Sequence, residues 1–262
     1  MSTPEFVKTR REESALVVTL DNPPVNALGP KLLDELVAAV KSGNEDPFIY
    51  GIVITGAGSN AFCAGADLKI LQSLSPEDAT RMVSQGHRAF FEIEDSAKPT
   101  IAAINGLALG GGNELAMSCD LRFASDRARF GQPEVLLGLI PAWGGTQRMS
   151  RLINKGKAKE LIFSGQIIPA QEALRIGLIN KVVPDGEELR SAVDYVRMLA
   201  AKASPLAVRQ AKIAINKGLQ EPTMEKAVEH EARAIQILSK SDDLREGIEA
   251  YLLHRPAKFT GK

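Results

Sequence analysis

The chain has 262 residues, 44% hydrophobic and 24% charged, which excludes a disordered, collagen-like or disulfide-scaffolded chain. Lysine plus arginine balances aspartate plus glutamate at 32 each, so no overall field draws the chain to nucleic acid or to an anionic membrane. The length accommodates one large α/β core or two smaller units.

The N-terminal stretch mixes Glu5, Glu12 and Glu13 among its Lys and Arg and lacks a long apolar run. Neither a secretory signal nor an acid-poor transit peptide is expected, and the expected compartment is the cytoplasm. Residues 15–20 read as a strand, and 30–41 carry apolar residues at helical spacing. Residues 47–66 form an uncharged run of 20, but six Gly, Ser and Asn residues break it. It reads as a buried strand (50–55) followed by a glycine loop, not as a membrane span. Ser75-Pro76-Glu77-Asp78 supplies an N-cap, a proline at the first helical position and early acids, so a helix of about 20 residues is predicted there. Residues 100–104 and 121–124 read as further strands. Then the pattern changes. Residues 169–176, 187–202, 204–217 and 222–240 read as helices, and nothing after Val183 reads as a strand. The expected organisation is therefore an α/β core over residues 1–184 containing the active site, and a helical region over 185–262, joined at Pro184-Asp185-Gly186.

Gly56-Ala57-Gly58-Ser59-Asn60-Ala61 fits the dinucleotide pattern, but the next residues hold another glycine and no helical period, so a nicotinamide or flavin site is not expected. His87, His230 and His254 lie far apart and no metal is expected; Cys63 and Cys119 form no CxxC and read as structural thiols. The informative stretch is residues 104–117, where Gly110-Gly111-Gly112 precede a helical pattern. Such a turn lets backbone approach a ligand with the free N–H groups of a helix start aimed at it. A second loop, residues 61–67, again exposes backbone beside small side chains around Ala64-Gly65-Ala66. Two donors from two loops make an oxyanion hole for a polarised thioester or an enolate. Glu114, on the first turn after Gly111, and Glu134, in Phe130-Gly131-Gln132-Pro133-Glu134, are the nearby acid–base candidates.

These segments resemble the crotonase superfamily, most closely its short-chain enoyl-CoA hydratases. The resemblance is carried by Asn22-Pro23-Pro24-Val25-Asn26-Ala27, Phe62-Cys63-Ala64-Gly65-Ala66-Asp67, residues 105–120, Gly131-Gln132-Pro133-Glu134, residues 138–148 and residues 169–184. It implies an α/β fold, a spiral of ββα units with a C-terminal helical trimerisation segment, and assembly as a homotrimer or a hexamer built as a dimer of trimers. It places the oxyanion donors at the N–H groups of Ala64 and Gly111 and the catalytic carboxylates at Glu114 and Glu134. Ala66, Asp67 and Leu68, with Val25 and Ala27 nearby, would hold the coenzyme A part of an acyl-CoA substrate. No separate cofactor is implied, and no nucleic acid or membrane partner. The implied reaction is reversible syn addition of water to a 2-enoyl-CoA, as in fatty acid β-oxidation, with Glu114 activating the water and Glu134 protonating the α-carbon.

Two departures stand out. Trp143, the only tryptophan, takes a position where relatives carry a small residue or tyrosine, and either lines the acyl pocket or packs the loop. Tyr251 and His254 stand where relatives often have Phe and a coenzyme-A-contacting Lys. Double-bond isomerisation and thioester hydrolysis remain as alternatives on the same fold, although isomerases usually keep only one of the two glutamates. An RNA-binding role is the remote alternative, disfavoured by the balanced charge.

Overall fold

The computed structural model describes residues 5–73 and 75–262. β1 (Val7–Glu12) and β2 (Ala15–Leu20) form an antiparallel hairpin. The chain then repeats one step. It lays a strand against the growing parallel sheet, starts a second short strand in another sheet, and continues into helix. β3 (Gly51–Gly56) and β4 (Ala61–Cys63), β5 (Thr100–Ile104) and β6 (Leu107–Leu109), and β7 (Leu121–Ser125) and β8 (Arg129–Gly131) are the successive pairs. With β9 (Ile168–Pro169) and β10 (Lys181–Val183), the sheets run β1-β2-β3-β5-β7-β10 and β4-β6-β8-β9. This two-sheet climb is the expected spiral of ββα units.

The inner strands β2, β3 and β5 are apolar along their length because the six-stranded sheet is covered there on both faces, whereas the edge strand β1 is charged and exposed. Leu16, Val18 and Leu20 of β2, Ile52 and Ile54 of β3, and Ala102 and Ile104 of β5 enter the larger core. The alternate residues Ala15, Val17, Val53, Ile101 and Ala103 enter a second cluster on the opposite face. The larger core is packed by α1 (Pro30–Glu45), whose Leu32, Leu33, Leu36 and Val40 are buried at helical spacing. After the single turn of α2 (Leu68–Ser73) comes α3 (Pro76–Glu94), capped as expected by Ser75, whose hydroxyl accepts from Asp78 N at 3.1 Å. α4 (Gly111–Ser118) is wholly buried. α5 (Gly145–Leu152), α6 (Lys155–Ser164) and α7 (Ala170–Arg175) follow.

Ala192, Val193 and Val196 of α8 (Glu188–Lys202) close the second cluster. The chain beyond Pro184-Asp185-Gly186 therefore still builds the core, and only the later helices leave it. α9 (Pro205–Gly218) and α10 (Met224–Leu238) pack on each other as a hairpin, and α11 (Asp242–Leu252) follows. Ile215, Leu219, Met224, Ile235, Ile248, Tyr251 and Leu252 stay more than half exposed on these helices. No helix among the described residues is long and apolar enough to cross a membrane. Cys63 and Cys119 are free and buried, and burial pushes both thiols up to about 12, consistent with structural rather than reactive cysteines.

Candidate active site

The spiral brings the loops that follow β4, β6 and β8 together. Asn26, 1% exposed, ties down β4, which leads into the first of them: its side-chain amide donates to the carbonyls of Ala57 (3.1 Å), Ala61 (2.9 Å) and Phe62 (3.3 Å). Leu28 N donates to Gly65 O at 2.8 Å and Asp67 N to Leu28 O at 3.0 Å, so the 22–28 segment runs beside the 64–67 loop. That loop in turn lies on the glycine turn, because a Cβ on Gly65 would stand 3.0 Å from Leu109 O and 3.4 Å from Gly111 N.

Gly110 adopts φ 52°, ψ −126°, a conformation that excludes a side chain, and its N–H donates to Gly131 O at 3.0 Å. A Cβ there would meet Glu134 Oε1 at 2.9 Å. Gln132, fully buried, has its amide placed to donate to Gly110 O (3.1 Å) and Gly131 O (3.2 Å). The turn that opens α4 is thus held by the strand that leads to Glu134. At the other end of α4, buried Arg122 donates to Cys119 O (2.7 Å) and Ala116 O (3.4 Å), at the open end of the helix, and joins them to Leu178 O (2.8 Å) beyond α7.

Glu114 is 1% exposed. Its Oε1 accepts from Gly145 N at 2.6 Å and Trp143 N at 2.9 Å, leaving Oε2 without a hydrogen bond among the described residues. Burial is the main cause that pushes its carboxyl up to about 8. The Gly145 N–H opposes that shift, the Glu134 charge adds to it, and the Trp143 N–H and the Arg148 charge oppose it further. Burial also raises Glu134, whose Oε2 is enclosed without a partner. Burial thus raises both carboxyls, and the Glu134 charge adds to the rise at Glu114.

The donor expected at Ala64 is corrected by the hydrogen bonds. Ala64 N–H is spent on Val25 O at 3.0 Å and Asp67 N–H on Leu28 O, whereas Ala66 N–H between them has no partner among the described residues. Gly111 N–H, in the first turn of α4, likewise has none. Val25 and Ala27 are half-buried against the 64–67 loop, and Leu68 is 58% exposed at the start of α2. Tyr251, 81% exposed, and His254 lie at and beyond the end of α11, and no hydrogen bond ties either to the loops around the glutamates.

Trp143 is 4% exposed. Its indole packs against Gly111 and Gly86, where a Cβ would approach within 2.5 Å and 2.2 Å of the ring. The ring also meets Phe90 edge-on at 5.9 Å, and its N–H donates to Met82 O at 3.3 Å. Gly86 and Arg148 were not singled out in the sequence. A glycine inside the amphipathic α3 pattern is the one available signal for the first; the second reads as an ordinary surface arginine.

The match to an enoyl-CoA hydratase/isomerase family model covers residues 10–262. The chain belongs to this family. Within it, the chain is 43% identical to a crotonyl-CoA hydratase of Syntrophomonas wolfei, over 98% of this chain and 99% of that one. It is 41% identical to a short-chain-enoyl-CoA hydratase of Clostridium acetobutylicum over 94% of each. The crystal structure of an enoyl-CoA hydratase from Bacillus anthracis superposes with a TM-score of 0.94 at 36% identity, covering 98% of this chain and 100% of that one. In this member of the enoyl-CoA hydratase/isomerase family, no group of three or more His, Cys, Asp or Glu among the described residues is placed to hold a metal ion.

The buried Glu114 has a consequence for stability. Between 4.5, its ordinary value, and about 8 the folded chain keeps a proton that the unfolded chain has released. Stability therefore falls as pH rises through that window. We expect Glu114→Gln to unfold less readily than the parent by an amount that grows from about pH 5 to about pH 8.5, reaching up to roughly 4 kcal/mol. Urea unfolding at the two pH values checks this, and an equal difference at both would show that Glu114 is not the group responsible.

Proposed function

We propose that the chain is an enoyl-CoA hydratase, a hydro-lyase that adds water reversibly to a short-chain 2-enoyl-CoA. The observation that supports this best is that buried Glu114 and half-buried Glu134, both raised by burial, stand at the glycine turn beside two unspent backbone N–H groups. Isomerisation or thioester hydrolysis would require less of this. The names of the relatives point the same way.

In this reading the thioester oxygen takes the N–H groups of Ala66 and Gly111. In its ionised form Glu114 takes a proton from water at Oε2, the oxygen that its backbone donors leave free, as the water oxygen bonds to C3. The C2=C3 electron pair moves toward the thioester, whose oxygen gains charge as an enolate held by the two donors. Glu134 then delivers its proton to C2, closing the neutral 3-hydroxyacyl product. The reverse path runs through the same enolate. The coenzyme A part of the substrate lies along Val25, Ala27 and residues 66–68, with no additional cofactor. His254 and Tyr251 reach the substrate of a neighbouring subunit. The open apolar faces of α9, α10 and α11 support a homo-oligomer built from trimers. Trp143, wedged against the donor Gly111, bounds the acyl end from behind.

Each of Glu114→Gln and Glu134→Gln should lower hydration of crotonyl-CoA by at least roughly a hundred-fold with thioester binding nearly intact. Variants keeping more than about a tenth of the parent rate would overturn the two-carboxyl mechanism. Sedimentation at micromolar concentration should give a mass of three or six chains; the mass of a single chain would dismiss the assembly. Trp143→Ala should raise kcat/KM for longer acyl chains relative to the four-carbon substrate, by about 1 kcal/mol per methylene accommodated. An unchanged chain-length ratio with a lowered melting temperature would leave the indole only a packing role.

A further inference from the structure

Arg148 stands on α5 and reaches back to the loop that holds Glu114. One guanidinium nitrogen, Nη1, donates to Trp143 O at 2.9 Å, and Nη2 donates to Glu94 Oε2 on α3 at 2.7 Å. The Arg148 side chain is 11% exposed and that of Glu94 36%. Phe91 covers the guanidinium at 5.6 Å from its ring centre. The arginine's Nε is buried with no partner. An exposed ion pair would leave its spare donors to water; this one gives up hydration at Nε to keep Nη1 on a peptide carbonyl and Nη2 on a carboxylate.

That carbonyl belongs to the residue whose N–H donates to Glu114 Oε1, and two residues on, Gly145 N–H donates to the same oxygen. Between them Gly144 has φ +100°, and a Cβ there would stand 2.2 Å from Arg148 Nη1. Position 144 is thus left bare in the place the guanidinium occupies.

We propose that Arg148, anchored by Glu94, is a positioning residue for the hydration reaction: it fixes the Trp143–Gly145 loop so that both N–H groups stay on Glu114 Oε1 and Oε2 faces the water. The inference rests on the proposed hydratase reading. Without the clamp the loop loosens and a nearby positive charge goes, and both changes favour the protonated form of Glu114. The base is then available only at higher pH.

The test compares Arg148→Gln, Arg148→Lys and Glu94→Gln with the parent. Arg148→Gln should lower kcat by about ten-fold or more, with KM changed little, and move the acidic limb of the pH–rate profile upward by about one pH unit. Arg148→Lys keeps the charge but not the fork, so it should restore the limb more than the rate. Glu94→Gln, at a more exposed site, should fold normally and show a smaller shift in the same direction. Titration of the Glu114 carboxyl by infrared difference, identified by the band lost in Glu114→Gln, needs no substrate. Its midpoint should rise in Arg148→Gln as well. If hydration is absent in the parent, the hydratase reading fails while the infrared shift still tests the clamp. If the parent hydrates but neither the limb nor the infrared midpoint moves in any of the three variants, the positioning role is wrong and Arg148 only packs.

Discussion

A carboxyl group that is 1% exposed must find in the protein what it loses in water. Glu114 finds it in two main-chain N–H groups on one oxygen, donated from a loop 29 and 31 residues further along the chain. Neither donor comes from a side chain. The geometry therefore depends on where α4 and the Trp143–Gly145 loop sit, and much of the surrounding structure serves to hold those two pieces. Gln132 and Gly131 grip the turn before α4, Arg122 grips its far end, and Arg148 grips the loop.

The spiral topology explains how segments so distant in sequence meet. Each step puts one strand into the six-stranded sheet and the next into the four-stranded one. The chain leaves each short strand at a similar edge, so β4, β6 and β8 deliver the 64–67 loop, the glycine turn and Glu134 to neighbouring places. The short strands do little for stability alone. Their function is to aim loops, and Asn26 joins the first of them to the segment after the opening hairpin by three carbonyl contacts.

The sequence was readable where a single physical signal acted over many residues. β2 and β5 were found to the residue because both faces are buried and the runs are continuously apolar, and α3 because Ser75, Pro76 and its acids mark the start. β4, β6 and β8 have three residues each, too few to set a period, and were missed. α11 was missed although Ser241, Asp242 and Asp243 form a start signal, because its apolar residues face outward and give no core stripe. Glu114 and Glu134 stand out through their motifs, and the structure places Glu134 against Gly110 and Glu114 against Gly145. The choice between the N–H groups of Ala64 and Ala66 was not legible, because small side chains look alike and only the hydrogen bond from Ala64 to Val25 separates them. Arg148 was not legible either, since its role is set by a carbonyl.

Trp143 and Gly86 belong to different turns of the spiral, yet the indole occupies space that any side chain at position 86 would claim. The two positions share one volume. A chain of this fold that acquires the tryptophan first has nowhere to put it, and one that loses the side chain at 86 first has a void and a weaker helix. An exchange of one of the two positions without the other therefore passes through a less stable chain.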